Sequence, residues 1–484
     1  MMGRTGARAN YFKGVEVMSP KRIEKDILGE SEISNLTYYG INTIRSIQVS
    51  KISDILEPLD FIIAFIQVKK ACALVNIELG LLPGEKGGAI VKVCDEMLAG
   101  AHISQFVIDI FHGGAGAAFN MSVNEIITNR ALEILGYPRG SYGVISPFND
   151  VNMSQADSDV FNSAARISVI MASNKLSAAL NELKSAFLKK SLEFDFILKP
   201  AKINYQDSVP ITLGQEFLTY AETIKKCGED IEHAKKRFTC LNIGGTEAGT
   251  GFNSHADFID RVISRLSEIT KISVQKSEDL VEITSSAYDF MNYSSRLKNL
   301  AASLIKISSE LSIMASGPAA GFNEITIPRL QLGSSLVPAR YNPVALENLS
   351  MVSMQISGID HIVTLAAVNT PPDLNVNMPV IIYNLLFGLK ILTNSINIVT
   401  EKCVAEISAN EDVLKKNFEN SPALIAALVP RIGYNEAAVL IGGARLYQKT
   451  VLELIIEKKL MSAEEIDALK TPRKVSEPGF LLKK

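Results

Sequence analysis

Residues 333–343 read Gly333-Ser334-Ser335-Leu336-Val337-Pro338-Ala339-Arg340-Tyr341-Asn342-Pro343. Two hydroxyls, a fixed cation and an amide share this stretch, and its glycine and prolines mark it as a loop. Such a set suits a site that handles anions. A serine works as a base only where N–H groups or cations stabilise its alkoxide, and the arginine offers a carboxylate a bidentate partner. Taken alone, the stretch fits an ordinary solvated turn equally well.

Four other segments place glycine and small polar residues inside an otherwise apolar chain: residues 112–124, 152–159, 202–215 and 242–253. Gly113–Gly116 is no dinucleotide fingerprint, because no strand pattern precedes it and no suitable acid follows. Gly244–Gly251 lacks the Lys-Ser/Thr step of a phosphate loop. The 5 cysteines are scattered with no CxxC pair, and the 5 histidines show neither HExxH nor i,i+4 spacing. Neither a disulfide framework, a metal site nor another cofactor is expected.

Long helices must position these segments. Apolar residues recur at spacings of three and four through Leu176–Phe187, Leu297–Met314, Leu349–Val363 and Leu385–Cys403, the pattern of a helix with one buried stripe. Pro318 and the pair Pro371-Pro372 end two of these helices. Asn342 is expected to N-cap a third, which Pro343 opens. The expected fold is mainly α with a central long-helix bundle. Three regions are read: an N-terminal helical domain (1–153), the bundle (154–408) and a small C-terminal helical domain (409–484).

With 49 Lys+Arg against 52 Asp+Glu the net charge is −3, which offers no basic face to nucleic acid. The apolar stretches 59–83 and 379–400 are interrupted by Lys69-Lys70 and Lys390, so no membrane span is expected. No secretory signal is read in the first residues, which are expected to be disordered, and the cytoplasm is the expected compartment.

The order and spacing of the segments resemble the aspartase branch of the aspartase/fumarase superfamily along essentially the whole chain. The matching stretches are Arg22 to Gly29 and Tyr38 to Arg45, Gly113-Gly114-Ala115-Gly116 with Asn120-Met121 and Asn124-Glu125, and Ser154-Gln155. Val209 to Gln215, Ser316-Gly317-Pro318, the serine loop and Ser408-Ala409-Asn410 complete the series. The resemblance implies a homotetramer whose bundles merge, with each active site shared between subunits. It also implies a carbon–nitrogen lyase that releases fumarate from a small succinate-type substrate, L-aspartate in the aspartases, by anti elimination. On this reading Ser334 is the base, Arg340 and Asn342 hold the carboxylate on which charge develops, and Glu347 matches a carboxylate that in the family pairs with an active-site histidine.

Departures from the family pattern gather where substrate binds. Ala117-Ala118 replaces Thr-Ser, Ala156-Asp157-Ser158 replaces Ser-Thr-Asn, and Ile203-Asn204 replaces Thr-His. Ala319 stands for an arginine and Arg340 for a lysine. The expected substrate-binding set is therefore Ala117, Asp157, Ser158, Asn204, Arg340 and Asn342. Three readings follow: an aspartase-type lyase, a lyase for another succinate-like or amino-acid substrate with a neutral or cationic group facing Asp157, or an inactive paralogue.

Overall fold

The computed structural model of the chain describes residues 20–426, 428–447, 449–469, 471–472 and 478. The first dozen positions, expected to be disordered, lie outside them. Long helices dominate: Leu59–Glu78, Ala117–Ile134, Asp157–Glu193, Leu213–Lys235, Tyr288–Met314, Val344–Val368 and Met378–Lys402. Every seam residue named from the spacing lies within one of these helices except Cys403, which follows the last residue of Met378–Lys402. Leu300, Leu304, Leu311, Leu385, Leu392 and Val363 have no exposed surface.

The chain forms two compact units, Met1–Ser173, His233–Ser294 and Ile359–Gly388 in the first, and Asn174–Glu232, Ser295–Gly358 and Leu389–Lys484 in the second. The borders fall inside five long helices, and none falls at 153 or 408.

In the first unit, Phe61 and Phe65 of the Leu59–Glu78 helix meet Phe119 and Phe161. Ring centroids lie 4.7 Å apart for Phe61–Phe161 and 5.1 Å for Phe65–Phe119. Burying each ring contributes about 1.5–3 kcal/mol. Gly116 sits against this cluster with φ of 99°, and a Cβ there would lie 2.2 Å from the Phe161 ring. Both facts require glycine. The fixed turn then launches the Ala117–Ile134 helix. One turn further on, the fully buried Glu125 gathers the main-chain N–H groups of Gly40, Asn42 and Thr43 at 2.7–3.1 Å, tying the N-terminal segment to this helix.

In the second unit the strands Leu198–Ile203 and Gln206–Thr212 pair antiparallel, with a register shift between Pro200 and Lys202. Asn204 and Tyr205 turn the hairpin with φ of 53° and 59°, the left-handed pair that a tight hairpin demands. The C-terminal helices enclose their own core of Phe418, Leu424, Leu428, Leu440, Leu454 and Ile455.

By length and composition alone, Val344–Val368 and the Met378–Glu406 stretch could span a membrane, contrary to the expectation from the interrupting lysines. The Met378–Glu406 window is 61% buried within the protein and the Val344–Val368 window 28%. Met351, Met354, Leu365 and Val368 stand exposed along the latter.

Candidate active site

The serine loop is closed on itself. Gly333 N–H donates to the Arg340 carbonyl at 2.8 Å, and Arg340 Nη2 donates back to the Gly333 carbonyl at 2.9 Å. Asn342 Nδ2 reaches the same carbonyl at 3.3 Å. Asn342 thus joins the loop and makes no capping bond to the helix behind it, against the sequence expectation; the Gly333 carbonyl has claimed its amide. A Cβ on Gly333 would lie 2.8 Å from Asn342 N and Oδ1, so this closure also requires glycine. Inside the loop, Ser334 Oγ accepts the main-chain N–H groups of Leu336 at 3.1 Å and Val337 at 3.0 Å. Two donors on one hydroxyl oxygen favour its ionised form. Glu347 is exposed in the first turn of Val344–Val368.

The second group of candidates lies in the first unit. Ala117 opens its helix directly after Gly116, and its methyl offers no hydrogen bond. Asp157 opens the Asp157–Glu193 helix and accepts a short hydrogen bond from Asn120 Nδ2. Ser158 is buried, and its hydroxyl donates to the Thr246 and Glu247 carbonyls at 3.2 and 3.1 Å. Its side chain therefore fixes the wall of the adjoining cavity. That cavity, of about 680 Å³, is bounded by Asn152, Gln155, Ala156, Thr246 and Glu247 among others. Asn204 lies elsewhere, on the hairpin turn of the second unit, beside a cavity of about 590 Å³ that Lys199, Lys202 and Glu324 also line. Buried Lys199 pairs there with Glu216 at 2.8 Å and with Glu324.

Comparison with known proteins matches residues 29–358 to a family described as Lyase and residues 424–477 to Fumarase C C-terminus. Aspartate ammonia-lyase of a Bacillus species is 38% identical, the match covering 95% of this chain and 98% of the relative. That of Escherichia coli K12 is 36% identical over 96% and 98%. The chain belongs to the aspartase/fumarase superfamily. Among solved members of the superfamily, the fumarate lyase:delta crystallin of Brucella melitensis superposes with a TM-score of 0.91 at 38% identity, covering 95% of this chain and 100% of that one. Class II fumarase of Schistosoma mansoni gives 0.90 at 28% identity, with the same coverage. The chain is thus a mainly helical lyase that acts on a small molecule.

Sequence reasoning missed the residues that hold the first-unit wall of this superfamily member. Lys69, fully buried in the Leu59–Glu78 helix, donates to Asn152 Oδ1 and Gln155 Oε1, each at 2.9 Å. Burial pulls its ammonium down to about 8. Asp159 accepts from the main-chain N–H groups of Ala156, Gly244 and Thr246 at 2.9–3.1 Å, while burial pushes its carboxyl up to about 7. The available signal for Lys69 was a cation inside an apolar helical run, read only as an interruption of a membrane span. Among the described residues no group of three or more His, Cys, Asp or Glu gathers as a metal site.

Proposed function

We propose that the chain catalyses the anti elimination of ammonia from L-aspartate to give fumarate, with Ser334 as the base. The observation that carries this reading is the pair of main-chain N–H groups on Ser334 Oγ. They lower the cost of the alkoxide that must take the proton next to the substrate carboxylate. Arg340 and Asn342, already turned toward the Gly333 carbonyl, supply the donors for that carboxylate as it takes on aci character. Ala117, Asp157 and Asn204 bind the rest of the substrate, Ser158 holds the wall behind it, and Glu347 serves as a nearby carboxylate. The aspartate ammonia-lyases among the relatives support L-aspartate as substrate.

The working form is a homotetramer in the cytoplasm, with sites shared between subunits. The exposed apolar side chains along Val344–Val368 support this assembly, because such a face on a long bundle helix needs a cover. The N-terminal, bundle and C-terminal regions divide at 153 and 408 on this reading.

The test is the appearance of fumarate by ultraviolet absorbance from L-aspartate, beside L-malate and N-substituted aspartates. Turnover of L-aspartate that disappears in Ser334→Ala is the expected result. Fumarate from one of the other substrates and none from L-aspartate overturns the substrate, and full activity in Ser334→Ala overturns the base.

A further inference from the structure

We infer that Asp157 is the counter-ion for the substrate's ammonium group and sets the preference for an amine over a hydroxyl; this rests on the elimination reading above. The starting point is that two acids share the first turn of the Asp157–Glu193 helix. A helix N-terminus favours a carboxylate, but here Asp159 meets that need by accepting Ala156 N–H at 2.9 Å and clasping Gly244 and Thr246. Asp157 takes no part in this. It accepts one side-chain bond, from Asn120, and forms no ion pair among the described residues.

The hydrogen-bond inventory around Asp157 points to the ligand. Asn120 Nδ2 is committed to Asn152 Oδ1 at 2.9 Å and to Asp157, and Asn124 Nδ2 to Asn152 Oδ1 at 3.0 Å. Asn152 Nδ2 donates to the Gln155 carbonyl, and Gln155 Nε2 to the Val151 and Met153 carbonyls. Lys69 is held by Asn152 and Gln155. The acceptors are in surplus: Asn120 Oδ1 and Asn124 Oδ1 are buried without a partner, on residues with no exposed surface. The adjoining cavity is lined by no lysine or arginine, and Glu247 adds a second carboxylate to it. A group that completes this cluster must bring donors and positive charge. An ammonium does both; a carboxylate or a hydroxyl does not.

The chemistry follows with atoms and electrons balanced. Ser334 Oγ takes the C3 proton, the C3–H electron pair becomes the C2=C3 bond, and the C2–N pair leaves with nitrogen. A nitrogen kept as ammonium by Asp157 departs as neutral ammonia, so no proton has to be delivered to it. An amine that had lost its proton would have to leave as amide ion, and a hydroxyl would need an acid that the Asp157 cluster does not supply.

The experiment compares wild type with Asp157→Asn, which keeps the size of the side chain and an acceptor for Asn120. L-Aspartate is the substrate and succinate, which is aspartate without the ammonium, the competitive inhibitor. The expected result is a KM for L-aspartate raised at least about tenfold, with succinate inhibiting as well as or better than before. A KM changed by less than about threefold, or succinate inhibition weakened in step with it, overturns the assignment. A parallel binding titration keeps the two readings apart. Ser334→Ala should bind L-aspartate, and Ser334→Ala/Asp157→Asn should bind it about tenfold more weakly while holding succinate. Binding of this pattern without turnover in wild type sinks the elimination reading alone. Equal L-aspartate binding by the two, or none by Ser334→Ala, sinks the counter-ion.

Discussion

Gly333 and Arg340 are bonded to each other twice, main chain to main chain at 2.8 Å and guanidinium to carbonyl at 2.9 Å. Seven residues apart, they turn the serine loop into a closed ring, and the Leu336 and Val337 N–H groups inside the ring face Ser334 Oγ. The geometry of the proposed base therefore depends on a residue with no side chain.

Gly333→Ala tests that dependence. The added methyl would meet Asn342 N and Oδ1 at 2.8 Å and the Arg340 carbonyl at 2.9 Å, so the ring must open. The expected loss is about 10²-fold in kcat, from misplacing a reacting group by about 1 Å, with the thermal midpoint little changed. Steady-state kinetics beside a thermal melt decide it; unchanged kcat means that ring closure is irrelevant to turnover.

Removing the hydroxyl itself goes further. Ser334→Ala should lower kcat by about 10²–10⁴-fold, the contribution of a positioned base, and leave Tm near that of wild type because the loop is largely exposed. Single-turnover measurement with L-aspartate checks the first part and calorimetry the second.

Lys69→Met probes the wall of the first unit. Asn152 Oδ1 and Gln155 Oε1 would each lose a charged donor at 2.9 Å, at a cost of about 2–4 kcal/mol by denaturant titration. The pH dependence has a definite sign. Burial holds the folded-state pKa at about 8, below the ordinary 10.5, so between these values the unfolded chain binds the extra proton. Wild-type stability should therefore rise relative to the Met variant as pH climbs from about 8 to 10.5. A flat difference across that window would place the lysine in a wetter setting.

Glu133 titrates at the other end of the scale. Partial burial pushes its carboxyl up, but Tyr38 at 2.7 Å, Arg130 at 2.5 Å and Arg139 at 3.0 Å outweigh it and bring the pKa down to about 2. With the folded value below the ordinary 4.5, the stabilisation is complete above that pH and lost as pH falls toward 2. Glu133→Gln should lower Tm by a few degrees at neutral pH, and the gap to wild type should close in acid. Parallel melts at the two pH values measure it, and a gap that persists in acid would trace the effect to packing.

The helices were legible because a spacing of three and four marks a buried stripe whatever the partner; the Leu297–Met314 seam lies within its helix as read. The serine loop was legible because its chemistry is contiguous. The polar framework was not. Lys69 meets residues 83 and 86 positions away, and Asp159 reaches Gly244 across 85, so no local pattern carries the information. Asn342 illustrates the same limit at short range. Its type and place before Pro343 favour a helix cap, but a carbonyl nine residues back holds its side chain. Ser158 was read as facing substrate, whereas two carbonyls of residues 246 and 247 hold its hydroxyl.

The outward face of Val344–Val368 carries Met351 and Met354 at 60% and 61% exposure. Thioethers open to solvent are converted to sulfoxides by peroxide, which turns a flexible apolar side chain into a polar one. Oxidative stress would then strike this face first in any chain without its neighbours. The same two sulfurs would be shielded in an assembled particle, so their oxidation state records whether a given copy had found its companions.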